Sequence, residues 1–299
     1  MAASSEPPPK TYKSVFKDTI ESVPAAIAEL LESYSGIPRD RQAAHIVECR
    51  DEAYARCPYP CIGNLRFLNF DLSVHPLYAE HVLAPLQQSG EAEPLFLDLG
   101  TCFGQDVRKL VFDGAPVGRV WASDVEQHLI DAGFRLFNDE AKLPRDHFLC
   151  PADLLSDSPD DGLCVLDDKV TILHMTAVFH LFGLEDQKKA ADRCLRLLRK
   201  DTGRPVLLLG MQVGSATAGP FKRENWTADF SHKYRHNVES WANMWQEVAS
   251  RDEWRDRIAH LEVRSELQQN GPKSPPGAQP SASDSEMKRH VFEVWVRFK

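Results

Sequence analysis

The stretch that most constrains the fold runs from Leu95 to Asp124, with the sequence LFLDLGTCFGQDVRKLVFDGAPVGRVWASD. It has the pattern of a short apolar strand, a glycine turn, a helix and a second strand that ends in an acid. Gly100 and Gly104 permit a sharp turn out of a strand and let a ligand approach the backbone closely. Asp124 lies roughly two dozen residues beyond the glycine turn. In such folds, an acid at that distance binds the two hydroxyls of a ribose. The stretch therefore predicts a nucleotide-type binding unit in an α/β fold.

The residue between the two glycines indicates which nucleotide this unit binds. A pyrophosphate fingerprint needs a middle glycine, so that the phosphates can lie on the helix N-terminus. Here that position is Cys102, and Asp98 adds a negative charge at the mouth of the loop. Both features disfavour a dinucleotide, whereas neither disfavours S-adenosylmethionine, which has a ribose and an amino group but no phosphate. The alternative is an ordinary glycine turn in some other α/β protein, because one glycine turn is a weak signal.

Composition limits the remaining classes of protein. The chain has 299 residues, and its net charge of -9 argues against a nucleic-acid partner, which would require clustered Lys and Arg. The seven cysteines are odd in number and scattered, which is typical of reduced thiols inside a cell. Cys57 and Cys61 have no matching second pair, so we predict no metal. The polar start MAASSEPPPK and the lack of a long apolar segment predict a soluble, cytoplasmic protein with no membrane partner.

The pattern along the chain predicts three regions. We expect a disordered tail over residues 1–13, an N-terminal helical cap over 14–92 and a cofactor-binding domain over 93–299. Apolar spacing predicts that the first helix of the cap runs from Phe16 to Tyr34. The cap either forms a lid over the strand ends or is simple helical packing. Residues 268–286 are rich in Ser, Pro and Gly, which predicts a flexible insertion.

From residue 93 onward, strand-like and helix-like segments alternate, which predicts a doubly wound, mostly parallel sheet. The expected parallel strands are Leu95 to Leu99, Arg119 to Ser123, His147 to Cys150, Val170 to His174 and Pro205 to Gly210. Helices are expected to start near Gly104, Glu126, Leu184 and Val238. Arg257 to Glu266 and His290 to Phe298 alternate apolar with polar residues and predict an antiparallel hairpin that closes the sheet. This predicted arrangement is similar to the Rossmann-like fold of class I methyltransferases.

Binding sites in open parallel sheets lie at the carboxyl ends of the strands, so these ends supply the candidate cofactor residues. They are Asp98, Gly100, Thr101 and Gly104 after the first strand, Asp124 and Val125 after the second, and Ala152, Asp153 and Leu154 after the third. Asp124 is expected to bind the ribose. Asp153 is placed to accept from the adenine amine, with its two neighbours covering the ring; a solvated loop acid is the alternative for Asp153.

The fourth and fifth strand ends supply the candidates for the acceptor side. His180 lies among aromatic residues after the fourth strand and is the candidate base for a hydroxyl substrate, because its pKa lies near working pH. The alternative is a hydrogen-bonded structural histidine. Gln212 follows the fifth strand and is a candidate donor to a substrate oxygen, or else an ordinary polar loop residue.

Together these segments resemble one family, the fungal secondary-metabolite methyltransferases of meroterpenoid and polyketide pathways. The similar blocks are DLGTCFGQDVRKLVFDG, SDVEQHLIDAGFRLFND, HLFGLEDQKKAADRCLRLLR, GMQVG and NVESWANMW, preceded by YPCIGNLRFLNFDLSVHPLY. The resemblance implies S-adenosylmethionine as cofactor, bound by Asp124, Val125, Ala152, Asp153 and Leu154. It also implies homodimers. Members of the family methylate carboxylates of farnesylated aromatic acids or enol hydroxyls of pyrones.

The sequence thus predicts an O-methyltransferase acting on a small natural-product molecule, with the acceptor group left open between carboxylate and hydroxyl. Two other functions are weighed against it. A nicotinamide oxidoreductase is disfavoured by Cys102, and a non-catalytic cofactor-binding partner is disfavoured by the presence of Asp98, Asp124 and Asp153.

Overall fold

A seven-stranded sheet organises the protein in the computed structural model, which describes residues 16–88, 94–221, 233–269 and 286–299. The strand order is β3-β2-β1-β4-β5-β9-β8; neighbours from β3 to β5 are parallel, whereas β9 is antiparallel to both β5 and β8. The strands are β1 Phe96–Leu99, β2 Val120–Ser123, β3 Phe148–Leu149, β4 Ile172–Thr176, β5 Val206–Ser215, β8 Ile258–Gln268 and β9 Met287–Phe298, with β6 Gly219–Pro220 and β7 Tyr234–Arg235 as a separate pair. The predicted fold class is confirmed.

Eight α-helices surround this sheet among the described residues. They are α1 Ala25–Ser33, α2 Arg39–Arg56, α3 Pro60–Gly63, α4 Ala84–Gln87, α5 Gln105–Phe112, α6 Gln127–Phe137, α7 Leu184–Leu197 and α8 Val238–Ala249. The prediction that the first helix spans Phe16 to Tyr34 was wrong at its start, because α1 begins only at Ala25. Pro24 immediately precedes α1 with ψ of 138°, an extended conformation. Proline has no N–H for a helical hydrogen bond and disfavours helix in the residue before it, so it fits the start of a helix.

The N-terminal helices pack against the glycine turn and against α6. Their buried side chains form one cluster with Phe103 of the turn and with Leu129, Leu136 and Phe137 of α6. The rings of Phe67 and Phe103 stack with centroids 4.2 Å apart. The division at residues 92 and 93 stays a prediction. The predicted tail, and most of the predicted insertion at 268–286, lie outside the described residues.

Within the described ranges, no helix has both the length and the apolar character needed to cross a membrane.

Candidate functional site

The carboxyl ends of the parallel strands meet along one edge of the sheet. Leu99 at the end of β1 is aligned with Ser123 of β2 and with Met175 of β4. The backbone N–H of Asp124 donates to Leu149 O at 3.2 Å, and that of Ala152 donates to Asp124 O at 3.1 Å. The residues that follow the first three strands, which the sequence predicted as cofactor ligands, therefore lie side by side.

The glycine turn has three left-handed residues at alternate positions. Gly100 has φ of 69° and Gly104 has φ of 64°, and a Cβ added to Gly100 would lie 2.5 Å from Val178 Cγ2. Cys102 also has a positive φ, 55°, although it carries a side chain. A non-glycine residue in this region is strained and is often found at binding sites. The turn therefore has a glycine-like backbone at its middle position, Cys102. The lack of a glycine there did not predict this conformation.

Asp124 has the hydrogen bonding expected of a ribose-binding carboxylate. Its Oδ2 accepts from the Cys102 N–H at 2.8 Å, and its Oδ1 accepts from the Glu126 N–H at 3.0 Å. Burial raises the pKa of this carboxyl, and the backbone donors oppose that rise. Each carboxylate oxygen has a further lone pair that can accept from a hydroxyl. Val125, beside it, is 53% exposed and offers an apolar surface for a ring, so these residues fit the ribose and adenine of S-adenosylmethionine.

The three candidate cofactor residues after β3 differ in burial. Asp153 is exposed; its Oδ1 accepts from the Leu155 N–H at 2.9 Å, and its own N–H donates to Asp161 Oδ2 at 3.0 Å. Ala152 and Leu154 are buried in the main core cluster. The adenine contacts assigned to these three residues stay predictions.

Asp98 lies beneath the glycine turn, where both of its carboxylate oxygens are engaged. Oδ2 accepts from Thr101 Oγ at 2.7 Å, and Oδ1 lies 2.7 Å from His174 Nδ1. Burial opposes protonation of His174, but the Asp98 carboxylate outweighs it, so the pKa of His174 is raised. Nε2 of the same ring lies 3.0 Å from Thr176 Oγ1. Asp98 and Thr101 thus connect the turn to β4.

His174 was not singled out as a site residue from the sequence. It lies 76 residues from Asp98, and only the parallel pairing of β1 with β4 brings the two side chains together. Ala177 was missed as well. It follows β4 directly and has φ of 59°, a conformation that local sequence does not indicate for alanine.

The two acceptor-side candidates, His180 and Gln212, lie in different surroundings. His180 is half-buried, and its Nδ1 accepts from the Val213 N–H at 3.2 Å. Burial lowers the pKa of His180 well below its usual value, and the charges of nearby basic residues lower it further. Gln212 is only 2% exposed, and its Nε2 lies 3.3 Å from Nδ1 of the buried His290.

This combination of sheet, glycine turn and ribose-type acid defines a Rossmann-like methyltransferase. Residues 15–68 match the model of the meroterpenoid methyltransferase N-terminal domain. The chain is 35% identical to the O-methyltransferase phiE of a fungal species over 235 residues, 78% of this chain and 74% of the relative. It is 32% identical to the methyltransferase trt5 of Aspergillus terreus over 260 residues, 87% of this chain and 89% of the relative.

Among solved structures, the chain is similar to a phosphoethanolamine N-methyltransferase of Haemonchus contortus, with 12% identity and a TM-score of 0.48, over 84% of this chain and 61% of that one. The sequence relatives carry the assignment: the chain belongs to the family of fungal secondary-metabolite methyltransferases. The predictions of an enzyme and of S-adenosylmethionine as its cofactor are confirmed. The cofactor supplies a methyl group on a sulfonium; the contacts of Asp124 and the glycine turn with its nucleoside stay predictions.

Proposed function

We propose that this enzyme transfers the methyl group of S-adenosylmethionine to a carboxylate oxygen of an aromatic acid in meroterpenoid-type biosynthesis. The observation that carries the choice of a carboxylate is the positive charge around His180. Arg235, Lys233 and Arg66 all lie close enough to His180 to lower its pKa. An anionic acceptor is attracted to such surroundings, whereas a neutral hydroxyl gains much less.

Arg235 is the best placed of these cations to meet an anion. It is 7% exposed, and within the described part of the chain no carboxylate lies within ion-pair distance of it. Its Nη1 donates to His180 O, and its guanidinium stacks on Phe221 at 4.4 Å. Its Nε is buried without a hydrogen-bond partner. A buried guanidinium with an unused donor suits a carboxylate, which accepts from Arg in a fork geometry.

Arg66 differs because its charge is already partly matched. Its Nη2 lies 2.8 Å from Asp71 Oδ2, and Arg289 lies 3.2 Å from the other carboxylate oxygen of Asp71. Two guanidinium groups therefore share one carboxylate. The group as a whole retains positive charge, and it lies near Met211 at the end of the paired region of β4 and β5.

A carboxylate acceptor fits the chemistry of these side chains. Carboxylic acids with a pKa of about 4 are ionised at neutral pH, so the acceptor carboxylate is already a nucleophile and needs no base. Methyl transfer then depends on holding the acceptor oxygen in line with the methyl group and excluding water, which positioning alone can accelerate strongly. His180, whose pKa lies well below the usual value, is a weak base and in this proposal contributes packing and a fixed position for Val213.

The test compares two acceptors with the same ring system, one bearing a carboxylate and one an enol or phenol hydroxyl. Purified enzyme and labelled S-adenosylmethionine should label the carboxylate. Arg235→Gln should lower kcat/KM for the carboxylate by about 10- to 100-fold, the scale of a lost charge-assisted hydrogen bond. The exposed Arg204→Gln is the matched control. Transfer only to the hydroxyl, with Arg235→Gln unaffected, would support the enol alternative with His180 as base and Gln212 as donor.

The proposal extends to the cofactor contacts of Asp98, Thr101, Ala152, Asp153 and Leu154, to a homodimer and to a cytoplasmic location. The resemblance of the sequence blocks to the family supports the dimer. Seven cysteines without disulfides support a reducing compartment. Sedimentation at micromolar concentration would test the dimer, since a monomeric mass would contradict it.

A further inference from the structure

We propose that Cys57, Glu126 and His128 form a binding site for a single Zn²⁺-type cation next to the ribose acid. Among the described residues, these three side chains place one ligand atom each within 4.8 Å of one another. Cys57 Sγ lies 2.9 Å from His128 Nε2, and that nitrogen lies 3.5 Å from Glu126 Oε2. Neither the comparisons nor the methyl-transfer chemistry assigns a role to this group.

The three ligands come from two elements that pack against each other. Cys57 directly follows the last residue of α2, and Glu126 and His128 lie at the start of α6. The apolar faces of α2 and α6 share one buried cluster, which fixes the end of one helix against the start of the other. The site is therefore held by the fold and does not depend on a loose loop.

The burial of the three side chains suits a cation with one open position. Cys57 is 4% exposed, whereas the side chains of His128 and Glu126 are 28% and 33% exposed. Zinc sites with three protein ligands complete their tetrahedron with water, and this cluster faces solvent on the His128 and Glu126 side. From the sequence, Cys57 was paired only with Cys61, because the histidine that it meets is 71 residues away.

The donor atoms select the class of ion. One sulfur, one imidazole nitrogen and one carboxylate oxygen suit Zn²⁺, whereas Mg²⁺ and Ca²⁺ prefer oxygen ligands alone. With a Zn–S bond of about 2.3 Å and a Zn–N bond of about 2.0 Å, sulfur and nitrogen must separate by roughly half an ångström from their present contact. On binding, a metal–sulfur bond forms as the S–H bond of Cys57 breaks, and the proton goes to solvent.

Occupancy of this site would act on the cofactor pocket through the backbone. The Glu126 N–H donates to Asp124 Oδ1 at 3.0 Å, so a cation bound by the Glu126 side chain fixes the segment that orients the ribose acid. It would also join the end of α2 to the pocket edge. We therefore expect the ion to change the affinity for S-adenosylmethionine without taking part in methyl transfer.

The test uses Co²⁺ as a spectroscopic probe and Zn²⁺ as competitor on the full chain. We expect one Co²⁺ per chain, a thiolate-to-cobalt charge-transfer band, loss of that band when Zn²⁺ is added, and release of a proton. Cys57→Ser should abolish the band, and His128→Asn should weaken Co²⁺ binding at least about tenfold, since even outer-shell partners contribute that much. Cys164→Ser, a half-buried thiol elsewhere, is the control and should leave the band unchanged.

Each result of this experiment either supports or contradicts the proposed cation site. Co²⁺ binding without a thiolate band, or a band that survives in Cys57→Ser, would overturn the site. Thermal unfolding of each variant without metal checks its folding, and Glu126→Gln gives a further test if Cys57→Ser proves unstable. A stepwise loss of affinity across Glu126→Gln, His128→Asn and Cys57→Ser would establish all three ligands, whatever acceptor the enzyme methylates.

Discussion

At the scale of single residues, Asp124 is the carboxylate that we predict to bind the ribose of the nucleoside. Asp124→Asn keeps the shape of the side chain but removes its charge and one acceptor. We expect the free energy of S-adenosylmethionine binding to weaken by about 1.5 to 3 kcal/mol, the value of hydrogen bonds to charged groups. Calorimetric titration measures this change. The exposed Asp146→Asn serves as control, and equal affinities for the two variants would remove Asp124 from the ribose.

His180 gives a second prediction at this scale, on pH dependence. Burial and the charges of Arg235, Lys233 and Arg66 hold the pKa of His180 well below its usual value, which favours the neutral ring. Plots of kcat/KM against pH for a carboxylate acceptor should show no inflection near 6.5 from this residue, and His180→Gln should leave their shape unchanged. An inflection there that disappears in His180→Gln would show that His180 is a base.

At the scale of secondary-structure elements, a buried ion pair fixes the start of α5 to the end of α6. Arg108 and Asp139 are both fully buried, with Nε to Oδ2 at 2.9 Å and Nη2 to Oδ1 at 3.0 Å. Arg108 Nη1 also donates to Phe103 O at 2.9 Å, and Tyr34 OH donates to Asp139 Oδ2 at 2.9 Å. One guanidinium therefore supports the glycine turn, α6 and the end of α1.

Removing one partner should leave an uncompensated charge in the core. We expect Arg108→Met to lower the free energy of unfolding by about 3 to 5 kcal/mol, the range for a broken buried pair. Urea denaturation measures it. Asp201→Asn, which breaks the exposed pair with Arg199, should lower the free energy of unfolding far less, because water screens an exposed pair. Similar losses for both variants would contradict the role given to Arg108.

The elements also show what the sequence could predict. The five parallel strands lie within a few residues of their predicted positions, because each is an apolar run bounded by turn residues. The residues that were missed depend on contacts between distant segments. His174 meets Asp98 only through strand pairing, and Cys57 meets His128 only through helix packing. Local patterns specify which elements form, whereas side-chain partners across elements depend on the packed structure.

At the scale of the whole molecule, buried histidines make stability sensitive to acid. Burial lowers the pKa of His290 to about 3, against about 6.5 in an unfolded chain. Between these two pKa values, His290 is protonated in the unfolded state but not in the folded state. Its contribution to the free energy of unfolding is therefore fully present above pH 6.5 and is lost as the pH falls. Burial raises the pKa of Asp106 to about 7, which acts in the opposite direction over the same range.

Replacing His290 with Gln should therefore flatten the pH dependence of unfolding. Between pH 6 and pH 4, we expect the slope of unfolding free energy against pH to fall by up to about 1.4 kcal/mol per pH unit relative to wild type. Denaturant titrations at several pH values measure this slope. Gln replaces the ring at a buried position, so the absolute stability will also fall, but only an unchanged slope would contradict the assignment.

The position of β9 within the sheet has a consequence for biosynthesis. β9 lies between β5 and β8 and pairs with ten residues of β5, yet it is the last described strand to leave the ribosome. Until it emerges, the long edge of β5 has no partner there and β8 cannot join the sheet. The nascent chain therefore holds an open strand edge until β9 has been synthesised, and chaperones that cover such edges are expected to act at that stage.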